Sequence, residues 1–213
     1  MFDQVGYISK LKDDFVSIIV PIDNPYVFDK QNITQCLVRF DDGRTISADQ
    51  RKKIYATVKD ISDYTGDIPE YMKEYLKCSY IERYGDEWFS LSNCSVTQAR
   101  EFINFLIDFC FENNIGTRDT MLNRADDISY YLYACLAHRK CAVCNKKGEV
   151  HHVEGSRVGM GFNRNDINNL GREAICLCRK HHNQAHNGEK EFFKKWHLYG
   201  IKLDEYLLRR LKL

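Results

Sequence analysis

Proline is scarce, with three in 213 residues, so few positions force a helix to break or a strand to an edge. No run approaches the ~20 consecutive apolar residues that a membrane span requires. The start, "MFDQVGYISKLKDDF", lacks the charged beginning and apolar stretch of a secretory signal, so a cytoplasmic chain without membrane partners is expected. Internal repeats, low-complexity tracts and Pro/Gly/Ser-rich linkers are also missing. A hydrophobic content of 44% argues against disorder and leaves room for one large domain or two small ones. Nine cysteines, an odd number without a secretion signal, predict reduced thiols, some of them ligands, rather than a disulfide framework.

The net charge of +1 conceals an asymmetry. Residues 138–213 hold 16 Lys and Arg against 8 Asp and Glu, or +8; residues 1–137 hold 15 against 22, or −7. The C-terminal third is therefore the candidate for a polyanionic partner, although a solvated basic face has the same composition.

Along the chain, "DFVSIIVP" (14–21) and "QCLVRFD" (35–41) are short and β-branched, and the first 45 residues read as strands of a small sheet. Helical spacing begins after Ser47, which has capping-box spacing to Gln50, repeats at Ile54, Val58 and Ile61, and stops at Gly66. Pro69 opens another helix, "EWFSLSN" (87–93) alternates like a strand, and Ser95 with Gln98 starts a helix carrying Phe102, Leu106 and Phe109 that ends at Gly116. That aromatic stripe reads as core. A last helix, 126–138, leads into a Cys- and His-rich segment, and the charge shift places a boundary near 137.

"CAVC" supplies Cys141 and Cys144 at a spacing that lets two thiolates reach one tetrahedral zinc. A redox reading would expect a βαβ context that is absent here. The same x-x spacing recurs in Cys178 and His181, which together make a Cys3His site plausible. Cys176 would share a strand face with Cys178, yet its context "AICLC" suits a buried thiol, and burial is the preferred reading. His182 and His186 lie four apart, on one helix face, while His181 is rotated about 100° from His182. His151 and His152 in "EVHHVEG" are neighbours on a predicted strand and point to opposite sides, so one could bind an ion while the other acts on water.

The order Cys-x-x-Cys, "VHHV", "LCRKHHNQAH" over about residues 138–190 resembles the HNH endonuclease family. The resemblance implies a ββα-metal domain with a catalytic divalent ion (Mg, Mn, Ni or Zn) and a structural zinc. By it, His151, His182 and His186 hold the catalytic ion, His152 is the general base, and Glu149 is an acidic residue supporting the ligands. Glu173 stands where the family has an Asn that orients the base, with Asn168 and Asn169 as alternatives, and Arg172 precedes it. Three imidazoles suit Mn, Ni or Zn better than Mg. Arg157, Arg164 and Arg172, with Arg179 and Lys180, are candidate DNA contacts. The Gly-rich "GSRVGMGFNRND" either approaches a backbone closely or is an ordinary surface loop.

"RTISADQRKKIYATVKDISDYTG" and "SVTQAREFINFLIDFCFENNIG" are also similar, over about residues 40–116, to the NinB (Orf) phage recombination family. That resemblance implies binding of single-stranded DNA and of host single-strand-binding protein, as a homodimer, with Arg51, Lys52 and Lys53 as local basic groups. The combined expectation is an α+β chain. A small N-terminal sheet and helical region (1–137) precede a zinc-containing nuclease domain (138–213) acting on single-stranded or branched DNA more than on simple duplex. A non-catalytic DNA-binding mediator is the alternative.

Overall fold

The computed structural model describes residues 6–12, 14–22, 26–31, 38, 43–156 and 168–213. The expected strand at 35–41 apart from residue 38, most of the Gly-rich loop, Arg157 and Arg164 lie outside the described residues. The chain divides into two compact units, Met1–Phe40 and Asp41–Leu213. In the first, β1 (Tyr7–Lys12) and β2 (Phe15–Ile19) form an antiparallel pair. The sheet is small, as expected, but the first 45 residues are not all strand, because a short helix, α1 (Tyr26–Gln31), follows it. The sequence signal is Pro25 immediately before Tyr26, a residue type favoured where helices begin.

In the second unit, α2 (Ala48–Thr65), α3 (Pro69–Tyr84), α4 (Val96–Glu112), α5 (Met121–Arg124) and α6 (Ile128–Ala137) precede β3 (Glu149–His152), β4 (Glu173–Leu177) and α7 (Arg179–Asn187). The chain ends with α8 (Glu189–Trp196), β5 (Ile201–Lys202) and α9 (Glu205–Leu211). The protein is thus α+β, with an antiparallel sheet in the order β3-β4-β5.

Local chemistry explains the helix ends. Gln50 N–H donates to Ser47 Oγ at 3.1 Å and Ser47 N–H to Gln50 Oε1 at 3.0 Å, completing the capping box, and Gly66 closes α2 at φ 82°. Buried Gln50 also donates through Nε2 to Val96 O and Asp126 Oδ2, both at 2.9 Å, tying the start of α2 to α4 and to the approach to α6. Ser95 caps α4 as expected, but α4 ends before Gly116. Asn114, at φ 54°, takes the left-handed position, and Ile115 N–H bonds to Cys110 O at 2.8 Å. Asparagine tolerates that conformation, so the chain stops without glycine. "EWFSLSN" is not a strand. Phe89 and Leu91 point into the core, which accounts for the alternation, but Asn93 and Cys94 N–H both turn back to Ser90 O, so the segment ends in a turn over residues 91–93.

Ile54, Ile61, Leu76, Tyr80, Phe102, Leu106, Tyr131 and Leu136 fill the centre of a core that continues through Cys141, the whole of β4 from Ala174, and Leu207. Phe102 and Leu106 are buried and Phe109 packs against them partly exposed. Beneath α2, the Arg124 guanidinium reaches Asp60 at 2.8 Å, Thr57 Oγ1 at 3.2 Å and Asp119 at 2.5 Å, and both Arg124 and Asp60 are buried. Arg124→Ala would strand the Asp60 carboxylate with only the peripheral Arg118. A loss of about 3 kcal/mol is expected in urea unfolding; a change below about 0.5 kcal/mol, the scale of ordinary surface substitutions, would show the pair to be immaterial.

Candidate metal centre

Lys140 and Lys147 pair as an isolated antiparallel bridge, and Cys141 N–H closes on Lys146 O at 2.7 Å, making a tight knuckle from Cys141 to Lys146. Asn145 turns it at φ 56°. Two contacts fix the knuckle to the fold: Ala142 N–H donates to Cys176 O on β4 at 2.9 Å, and the Tyr131 hydroxyl of α6 donates to Ala142 O at 2.8 Å. The same hydroxyl accepts from Asn145 Nδ2 at 2.8 Å. Gly148 then lets β3 pass close to β4. A Cβ there would stand 2.6 Å from the Cys176 sulfur and 3.1 Å from the Leu177 backbone.

Cys178 is the N-cap of α7, in extended conformation, and its sulfur makes no cap bond. It faces Cys144 instead, with the two sulfurs 3.7 Å apart. His181 Nδ1 lies 3.2 Å from Cys141 Sγ and 3.3 Å from Cys178 Sγ. All four donor atoms fall within 4.8 Å of one another. A tetrahedral zinc with ordinary bond lengths sets S–S edges near ~3.8 Å and S–N edges near ~3.5 Å, so the donor set fits that ion within a few tenths of an ångström. Burial pushes the Cys141 thiol up to about 12, so thiolate formation there depends on a cation. Burial, then the charges of Lys180 and Lys146, hold His181 below its ordinary value. Cys176 is fully buried, outside this group, and its thiol is pushed up by burial.

A second group forms on the other side of the α7 start. His151, His182 and His186 also place donor atoms within 4.8 Å of one another, with ring centroids 4.7 to 4.9 Å apart. His182 Nε2 and His186 Nε2 are 3.1 Å apart. Two ring nitrogens bound to one ion at ~2.0–2.1 Å sit between about 2.9 and 3.4 Å from each other, so this spacing suits a shared cation. Glu149 Oε1 meets His182 Nδ1 at 2.7 Å, which assigns the ring proton to Nδ1 and turns the Nε2 lone pair toward His186. Arg179, largely exposed, reaches the same oxygen at 3.3 Å. The His182 bond, followed by Arg179, holds the Glu149 carboxyl below its ordinary value. Lys180 is exposed beside Arg179 at the start of α7.

His152 leaves β3 on the face opposite His151 and is not in either group. Burial, then the Arg172 charge, holds its imidazole below the ordinary value. The register pairs His152 with Ala174, so Glu173 points to the other side of the hairpin from His152. Glu173 meets that strand through its backbone: its carbonyl accepts from Val153 N–H at 3.0 Å and its N–H donates to Ser156 Oγ at 3.0 Å. Arg172 donates to Asn168 O at 2.8 Å and to Ser156 O at 2.9 Å, while Asn168 Oδ1 accepts from Leu170 N–H at 2.9 Å. Sequence reasoning missed Glu189, whose Oε1 is 3.8 Å from His151 Nε2. Its only sequence signal was its place three residues beyond His186.

Cys141→Ser removes one donor from a closed set. The expected outcome is loss of one tightly held zinc per chain and unfolding of the knuckle, checked by metal analysis and near-UV circular dichroism; a folded variant with undiminished zinc would contradict the four-donor assignment.

No curated protein and no solved structure matches the chain. The family model described as "Putative HNHc nuclease" does match, over residues 25–213 and therefore over both donor groups and the helices before them. The chain belongs to that nuclease family.

Proposed function

We propose that the protein is a metal-dependent DNA endonuclease, with residues 138–213 as its nuclease module. The observation that carries this reading is the pairing of two unlike donor sets around one helix start. Four donors, three of them sulfur, leave no open position and suit a structural zinc. Three imidazoles leave coordination positions for water and substrate, the pattern of a catalytic site.

His151, His182 and His186 would hold a divalent ion, which would supply Lewis-acid stabilisation of the charge that develops on the scissile phosphate and on the leaving 3′ oxygen. His152 takes a proton from the attacking water as the new P–O bond forms and the bond to the 3′ oxygen breaks. Glu149 keeps His182 in the tautomer that offers Nε2, and Glu173 holds the strand at Val153, beside the base, through its backbone. Arg172, whose charge is felt by His152, is suited to a phosphate oxygen, and Arg179 and Lys180 to the flanking backbone. Arg157 and Arg164 share that assignment on charge alone.

We assign residues 1–137 to DNA recombination or repair in a phage or prophage setting, with single-stranded or branched DNA as substrate and host single-strand-binding protein and a second copy of the chain as partners. This part rests on the resemblance to NinB.

Nicking of supercoiled and branched DNA with Mn or Mg tests the central reading. His152→Ala is expected to lose about 10²- to 10⁴-fold in rate, and Glu173→Gln, which keeps the backbone bonds, less than about tenfold. A wild-type protein that binds these substrates and nicks none of them is the non-catalytic mediator instead.

A further inference from the structure

A concave pocket of about 240 Å³ lies where α2 and α3 meet the segment 90–92. Arg51 and Tyr55 enter it from α2, one helical turn apart, and Lys73, Glu74 and Lys77 enter it from α3. Three positive charges thus meet one negative, although residues 1–137 as a whole carry −7. Glu74 is shared, its Oε1 taking Lys73 at 3.1 Å and its Oε2 taking Lys77 at 3.3 Å. Arg51 donates to two neutral carbonyls, Leu91 O and Ser92 O, both at 3.1 Å, so these bonds fix the guanidinium and leave its charge in place. Lys77 is 5% exposed, and its ammonium lies 3.9 Å from the centroid of the Trp88 ring, covering one face of the indole. Trp88 is nonetheless 61% exposed, so its other face is open to solvent, and Tyr55 is exposed as well. Fixed cations in a concavity beside an open, oriented aromatic face are complementary to a phosphate with an unstacked base next to it. A duplex keeps its bases stacked and offers phosphate alone, and an acidic peptide offers carboxylates without a base.

We propose that this pocket binds single-stranded DNA, with one phosphate against Lys73, Lys77 and Arg51 and the neighbouring base on the open face of Trp88. The proposal rests on the reading of the chain as one that acts on single-stranded DNA, and it gives the strand a place on α2 and α3 that uses neither donor group. Affinity comes from counterion release at the phosphate and from stacking, and neither needs a metal. Binding at this pocket is therefore separable from cutting.

The test uses the full chain with its Cys3His zinc in place and no other divalent ion added, so that binding is read without cleavage. The probes are oligo(dT), a duplex of the same length, dTMP and polyglutamate, followed by fluorescence anisotropy of labelled DNA and by tryptophan emission. Trp88→Ala is expected to weaken oligo(dT) binding about 5- to 100-fold and duplex binding less than about twofold, with part of the loss recovered in Trp88→Phe. Oligo(dT) should quench a component of the emission that Trp88→Phe lacks, Trp196 being the second of the two tryptophans. Lys73→Gln should lower the slope of log binding constant against log salt by about 0.7, the value of one single-strand phosphate contact, and this decides the matter even where a Trp88 variant fails to fold. The proposal is overturned by a Trp88→Ala protein within about twofold of the parent on oligo(dT), by equal weakening on the duplex, or by a salt slope unchanged in Lys73→Gln. Quenching by dTMP as strong as by the oligomer at equal nucleotide concentration, or tighter Trp88-dependent binding of polyglutamate, assigns the pocket to a free nucleotide or an acidic protein and overturns it too. If the parent binds oligo(dT) and the pocket variants bind it equally well, the pocket alone falls; if the parent binds none, the single-strand reading falls and the proposal with it.

Discussion

The turn from β4 into α7 at Cys178 sets the geometry of both donor groups. Cys178 is the last extended residue, and its carbonyl accepts the first helical bond from His182 N–H at 2.8 Å. From that point the chain advances about 100° per residue. His181 therefore swings back toward Cys178 and the knuckle, while His182 faces His151 on β3 and carries His186 one turn above it. Moving the start of the helix by one residue would exchange those directions. The strand before it permits little movement, because Ala174, Ile175, Cys176 and Leu177 are all fully buried.

The knuckle and the hairpin share that strand. Ala142 bonds to Cys176 from one side, Gly148 lets β3 approach from the other, and Tyr131 of α6 holds the knuckle through Ala142 and Asn145. The core runs without interruption from α2 to α9, so the change from acidic to basic composition near residue 137 falls on the surface of one packed interior. Basic surface and buried scaffold answer to different constraints. Lys and Arg need only solvent and a partner, whereas the scaffold needs shape.

Spacing made much of this legible. The Ser47 and Gln50 pair, Pro69 and Gly66 act within a few residues, so their signals survive without tertiary information, and the two Cys-x-x spacings act in the same way. Phe89 and Leu91 misled because inward and outward alternation reports burial, not a ladder, and a ladder needs a partner strand that sequence does not reveal. The end of α4 was misplaced because Asn114 can take a conformation that sequence rules assign first to glycine. The resemblance puts Glu173 where the family has the Asn that orients the base; the register of His152 with Ala174, a long-range fact, sends the Glu173 and His152 side chains to opposite faces. Glu189 was invisible for the same reason, since its contacts with Glu154 and His151 join residues more than 30 positions apart.

The two groups differ in how they meet an ion, and the difference follows from donor chemistry. Burial pushes the Cys141 thiol up, so its sulfur would become a thiolate more readily beside a cation. Imidazole binds as the neutral ring, and the three-histidine group is held by β3, α7 and the Glu149 bond. Four donors, three of them sulfur, close a tetrahedron, whereas three imidazoles leave positions open; the two groups therefore differ in what an ion placed in them could still bind.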